Sequence, residues 1–391
     1  MAAETKWGLG NPKVVAMKQV VDTVAAANIT FYNTYGPGGN WADDYGWWGI
    51  AALTAKDYFA KHNDPVNASK YLAIAKNCWN QMYGKGYDKN DTARPVPHGC
   101  ANAGGANTGT KNTITNVNLL LLSIRLYREV KNTGDPDAQK YLAMCYAQYV
   151  WFATWFTNSY SGFTYLRVPP ATSQIVYGRL VQERPIAEPD YERESDPTWQ
   201  EGWTWTADQG LVMTALIELT EITDDIAGWI AAENPSVRFG ASVFRSEIDT
   251  WIESIATAVK LTLFSTPDQV LREAPFDSSF IDDPKDYVCG RGVLLRYLAQ
   301  IKDKLPNVDL DKNILATAEA ALGGTSNGAN QFAANWTSTD SDLVFNMHFK
   351  SLWGYGNISS RWPSTINQSA IYNGILQALG LDVLGAAIPL I

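Results

Sequence analysis

Residues 41–49 read Trp-Ala-Asp-Asp-Tyr-Gly-Trp-Trp-Gly and open a stretch, 42–60, whose polar and apolar residues repeat with a helical period. Asp44, Trp48, Ala51 and Ala55 fall on one stripe of that helix. The same arrangement recurs twice. Asn112 and Asn116 lead into Leu119, Leu120 and Ser123, and Asp208 leads into Leu211, Val212, Ala215 and Leu219. Each stripe is apolar but carries polar groups at its N-terminal end, where unpaired N–H groups and the positive dipole end favour carboxylates. Repetition on separate helices decides the fold class: an all-α chain, a toroid of paired helices in which inner helices alternate with outer ones and their N-terminal ends ring one pocket.

Working outward, helical periodicity predicts helices near 12–27, 66–83, 136–157, 238–263, 287–302, 311–321 and 366–382, with another near 340–352. A short hairpin is expected around 163–166 and 174–178, where Tyr, Val and Thr collect between Gly and Pro. Residues 84–111 and 179–203 are long and irregular, which suits binding loops. There is no βαβ rhythm, no GxGxxG and no P-loop. No linker-like composition divides the chain, so residues 1–391 are expected to form a single domain.

Composition narrows the function. The chain of 391 residues is 46% apolar and only 18% charged, enough for a large core and unlike a disordered protein. A formal charge of −9 argues against nucleic acid and anionic membrane as partners. Cys78, Cys100, Cys145 and Cys289 are widely spaced and form no metal motif, so they read as buried free thiols, with one or two disulfides as the alternative. His62, His98 and His348 form neither a triad nor a ligand cluster. No stretch reads as long and apolar enough for a membrane helix. The start, Met1 to Lys6, lacks the apolar core of a signal peptide, which fits a cytoplasmic chain or one whose signal has been removed.

Asp43-Asp44 carries the chemistry. Like charges in a confined apolar setting push two carboxyl pKa values apart, into an acid and a base or nucleophile. Trp41, Tyr45, Trp47 and Trp48 surround the pair, and aromatic rings are what sugars stack on. Adjacent helical residues cannot both face one cleft, so Trp47 or Trp48 is expected in the core. Asp224-Asp225 and Asp282-Asp283 look like solvated turn residues, the first closing a helix, and Asp190 to Glu194 like a charged loop.

Four segments together resemble glycoside hydrolase family 76, the endo-α-1,6-mannanases with an (α/α)6 barrel. They are Ala42 to Gly49, Lys111 to Asn116 with the leucines that follow, Thr206-Ala207-Asp208-Gln209-Gly210, and Gly292 to Leu298. The resemblance implies retaining hydrolysis of internal α-1,6-mannosidic bonds, with Asp43 as nucleophile and Asp44 as general acid and base. Retention places the two carboxyl groups about 5–5.5 Å apart. Trp41, Tyr45, Trp48, Asn112, Asn116, Asp208 and Gln209 are the candidates for substrate binding or for holding the aspartates. No cofactor and no metal is implied. The expected partner is α-mannan, met by a monomer that is secreted, periplasmic or at the cell surface, without nucleic acid or membrane insertion. Transglycosylation by the same aspartates and non-catalytic glycan binding are the rival functions.

Overall fold

The computed structural model describes residues 1–36, 41–89, 99–102, 111–156, 166–167, 180–181, 183, 205–236, 240–264, 268–273, 289–305, 307–323, 332, 336 and 370–391. The fold class is all-α. In chain order the helices are α1 (Ala2–Trp7), α2 (Pro12–Tyr35), α3 (Ala42–Lys61), α4 (Pro65–Lys85), α5 (Thr113–Val130) and α6 (Ala138–Phe156). They continue with α7 (Thr206–Thr220), α8 (Thr223–Glu233), α9 (Ala241–Ala258), α10 (Gly290–Ile301), α11 (Asp311–Gly323) and α12 (Ala370–Ala387). A two-residue antiparallel ladder pairs β1 (Leu166–Arg167) with β2 (Leu180–Val181). The expected hairpin is therefore present, with its second strand beyond the anticipated 174–178. The helix expected near 340–352 lies outside the described residues.

The chain forms two compact units: Met1–Thr154 with Glu221–Ala241, and Trp155–Thr220 with Ser242–Ile391. In the first, local chemistry sets the helix ends. Asn11 caps α2 by accepting from the Lys13 amide at 3.0 Å, and Pro12 sits where no N–H is needed. Asp64 does the same for α4 through the Asn67 amide at 3.0 Å, with Pro65 next. This amide hydrogen bond holds the Asp64 carboxyl below its usual range. The link between α3 and α4 is only three residues long, which makes the two helices antiparallel neighbours. Asn63 takes the left-handed conformation in that turn, at φ 58°.

Helix α5 is the centre of this unit, buried on nearly every face, as a helix apolar all round must be. It meets α3 at two glycines. A Cβ on Gly46 would stand 2.5 Å from the Asn118 Cβ, and one on Gly49 would stand 2.6 Å from Leu122 Cδ2. Only glycine allows so close a crossing. Trp79 of α4 is fully buried and donates to Ser123 Oγ of α5 at 2.7 Å.

The second unit is built similarly. Helix α7 is almost wholly buried and crosses α10 at Gly210, where a Cβ would lie 3.0 Å from the Leu294 Cα. Helix α12 packs on α10 and α11, and Arg296 grips Asp382 through Nε at 2.8 Å and Nη2 at 2.5 Å. Helix α9 widens into a π turn over Val259–Leu263.

Three sequence expectations need correction. Helix α2 continues past residue 27 to Tyr35, and its segment Pro12–Thr34 is long and apolar enough, by length and composition, to cross a membrane. The scattered Lys13, Lys18 and Asp22 mask that apolar content in a linear reading, although on a helix Lys18 and Asp22 sit apart from the exposed stripe of Met17, Val20, Val21 and Val24. Asp224-Asp225 does not close a helix. It forms the first turn of α8, where the dipole favours acids, and Asp225 accepts from Lys131 at 3.0 Å. Helix α1 was not foreseen either; six residues are too few for a periodic signal.

Candidate active site

Helix α3 begins with Trp41 at its N-cap in extended conformation, and the indole makes no capping bond. Asp43 and Asp44 both lie in the first turn and are half-buried. Capping comes from main chain instead: the Ala42 amide donates to the Asn102 carbonyl at 2.7 Å. Residues 99–102 form a strap that joins the ends of three helices. Beside α4, Tyr87 and Cys100 form an antiparallel bridge, with Asp88 N–H to Gly99 O at 3.0 Å and Ala101 N–H to Gly86 O at 2.8 Å. Beside α5, the Asn116 side chain accepts from the Cys100 amide at 2.6 Å and donates to Cys100 O at 3.0 Å and Asn112 O at 2.7 Å.

Asn116 therefore spends its carboxamide on main chain and holds the strap. Asn112 is the N-cap residue of α5 and is buried. Beneath the strap, Lys111 Nζ meets Asp88 Oδ2 at 2.9 Å, with side chains 1% and 0% exposed. Gly99 lies against both: a Cβ there would stand 2.6 Å from Lys111 Cδ and 2.3 Å from Trp151 Nε1. Burial pushes the Cys100 thiol far up; the Lys111 charge lowers it and the Asp43 charge raises it.

The aromatic candidates divide. Trp41 is 53% exposed, Tyr45 is buried, and Trp47 and Trp48 are half-buried. Neither Trp47 nor Trp48 is the pure core residue expected. Trp48 packs on α2 instead, stacked with Phe31 at 6.0 Å between centroids and tilted on Tyr32 at 5.4 Å. Tyr45 accepts from Lys85 Nζ at 2.9 Å, and the ammonium also sits 4.7 Å from the ring centre.

In the second unit, Asp208 and Gln209 occupy the first turn of α7 and are fully buried. Gln209 reads β2 as a strand would, accepting from Val181 N–H at 2.8 Å and donating to Val181 O at 2.9 Å and Trp205 O at 3.0 Å. That register brings Glu183 to Asp208. Burial, then the Glu183 charge and a hydrogen bond to it, raise the Asp208 carboxyl well above its usual range. Nearby, Glu273 accepts from the Arg291 amide at 2.9 Å, and Arg291 lies 3.8 Å over the Trp336 ring. Burial lifts Glu273 to about 7, against the lowering pull of Arg291 and Thr206.

Sequence reasoning did not select Asp88, Glu183, Glu273 or Arg291 as site residues, and it quoted Lys111 only as part of a motif. Asp88, Glu183 and Glu273 sit outside regular helices, where no period marks a facing direction. Arg291 carried one signal, a cation opening an apolar helix. Asp190 to Glu194, His98 and Asp282-Asp283 lie outside the described residues. Among the described residues, no group of three or more His, Cys, Asp or Glu side chains is placed to hold a metal ion.

Comparison with known proteins bears out the family resemblance over part of the chain. Residues 16–165 match the profile of Glycosyl hydrolase family 76. Among curated protein sequences no relative matches. Solved structures with a similar fold include the following two. Dfg5 from Chaetomium thermophilum, in complex with glucosamine, is 16% identical with a TM-score of 0.45; the match covers 90% of this chain and 70% of that one. The GH76 alpha-mannanase BT2949 of Bacteroides thetaiotaomicron is 12% identical with a TM-score of 0.42, covering 87% of this chain and 69% of that one.

Proposed function

We propose, from the family-76 match over residues 16–165, that this protein is a retaining endo-glycosidase that cleaves internal α-1,6-mannosidic bonds of mannan. The observation that supports the reading is the aspartate pair itself, set in the first turn of α3 on a helix end that the strap, Asn116 and the Asp88–Lys111 pair hold in place. Adjacent residues of one helix turn point about 100° apart, which lets two carboxyl groups flank one glycosidic bond.

In this reading Asp43 attacks the anomeric carbon and a covalent glycosyl-enzyme forms. Asp44 protonates the leaving oxygen, then removes a proton from the water that releases the sugar. Trp41 and Tyr45 supply aromatic surface. Residues 1–391 act as one (α/α)6 catalytic domain, a monomer outside the cytoplasm that needs no cofactor.

The test is incubation with linear α-1,6-mannan and with de-branched yeast mannan, followed by product sizing and anomer analysis by NMR. Mannose oligomers released with retained configuration are expected. Asp43→Asn and Asp44→Asn each reduce cleavage by several orders of magnitude with the fold intact. Near-normal cleavage by either variant defeats the reading. Products lengthened by added acceptor oligosaccharide would move the assignment to transglycosylation.

A further inference from the structure

Between α2 and α4, beside the first turns of α3, lies a groove with a cavity of about 510 Å³. That volume falls in the range of small-ligand sites. Its floor is apolar, with Ile29 from α2 and Ile74 from α4. Its walls carry carboxamides from opposite helices: Asn33 on α2, and Asn77 and Gln81 on α4. Asn77 receives the Tyr32 hydroxyl at 2.8 Å through its oxygen, which leaves its NH2 for a ligand. Asn33 and Gln81 make no hydrogen bond within the described structure, so each presents a donor and an acceptor to the groove.

Tyr45 forms one end, its ring held by Lys85. Trp41, the N-cap residue of α3 four positions before Tyr45, is 53% exposed. A large exposed indole is uncommon in a chain with room for a core. No carboxylate lines the groove among the described residues, and its one charged lining residue, Lys70, is exposed at the rim.

An apolar floor, paired carboxamides and aromatic rings match a neutral sugar, which has apolar C–H faces and hydroxyl edges that both donate and accept. A cation finds no counter-charge here, and an aliphatic ligand would leave the carboxamides unpaired. We propose that this groove is an accessory binding site for a neutral oligosaccharide, separate from Asp43 and Asp44 and able to hold a second segment of a polymer being cleaved. The choice of mannose-type glycan rests on the function proposed above, whereas the groove and its chemistry do not.

The experiment uses the full chain carrying Asp44→Asn, titrated with linear α-1,6-mannohexaose by calorimetry and, in a separate arm, with inorganic phosphate. Two sites per chain are expected, falling to one when Asn33→Ala and Gln81→Ala are added. Ala73→Trp, which fills the groove from its exposed wall, gives the same loss without touching a hydrogen bond. In the otherwise unaltered enzyme, both groove variants keep their rate on mannotriose and lose on the order of tenfold on dilute long mannan, because the second contact raises local substrate concentration. A stoichiometry of one that the groove variants leave unchanged overturns the proposal, as does binding of phosphate but not mannohexaose at these residues. Absence of mannan cleavage by the unaltered chain would defeat the catalytic reading alone, since the loss of a binding site on groove mutation would still be read.

Discussion

Replacing Lys111 with Met tests whether the strap is anchored by charge. The methionine keeps most of the stem on which Gly99 rests, so the change removes the ammonium and little volume. Lys111 and Asp88 are 1% and 0% exposed at 2.9 Å, and loss of the cation leaves Asp88 as an uncompensated buried charge. Such a break costs about 3–5 kcal/mol, a factor of roughly 10²–10³ or more in the folding equilibrium. Asp88→Asn, which strands the ammonium instead, is expected to cost a similar amount. The double variant buries neither charge and recovers at least about 2 kcal/mol relative to the sum of the singles. The assay is urea unfolding of all four proteins by far-UV circular dichroism and tryptophan fluorescence, fitted as two-state only where the probes coincide. Singles that each cost under about 1 kcal/mol, or that simply add in the double variant, would refute the reasoning.

Three further outcomes follow from the same geometry. Gly46→Ala forces a Cβ to within 2.5 Å of Asn118 and is expected to destabilise by about 1–3 kcal/mol; an unchanged urea midpoint would show that α3 and α5 can part at no cost. Glu273 titrates near 7 in the fold, above the ordinary carboxyl value, so the folded chain keeps a proton that the unfolded chain releases. Stability therefore falls as pH rises from about 4.5 to 7, by up to one proton's worth of slope, and Glu273→Gln removes that fall in pH-dependent urea titrations. Burial pushes the Cys78 thiol to about 12 and Cys100 and Cys145 higher still, whereas Cys289 is half-exposed. One equivalent of a thiol reagent should react with the native protein and four with the unfolded one; rapid native labelling of more than one would contradict the burial.

Much of the helical framework was legible because its signals are local. The Leu119 to Leu122 run and the leading Asn112 and Asn116 place α5 within a residue of where it begins and ends. The polar N-terminal ends of α3, α5 and α7 were likewise readable from spacing alone. Helix α8 escaped because Asp224-Asp225 serves equally as a turn or a first turn, and only the residues it packs on decide between them. The tail of α2 escaped because Asn28, Thr30, Asn33 and Thr34 interrupt its apolar period while leaving its backbone bonds intact.

By itself, then, the sequence determined most of the longer helices, the polar ends of α3, α5 and α7, and that two adjacent acids open α3 among aromatic rings. Those properties depend on neighbours within a few residues, where periodicity and helix-end chemistry act. Tertiary structure alone decided that Asn116 clamps a strap, that Asp88 neutralises Lys111, and that Glu183 helps burial raise the Asp208 carboxyl. Each of those pairings joins groups 16 to 25 residues apart across irregular chain. Their energies come from burial and from distances of about 3 Å, and neither quantity exists until the helices have packed.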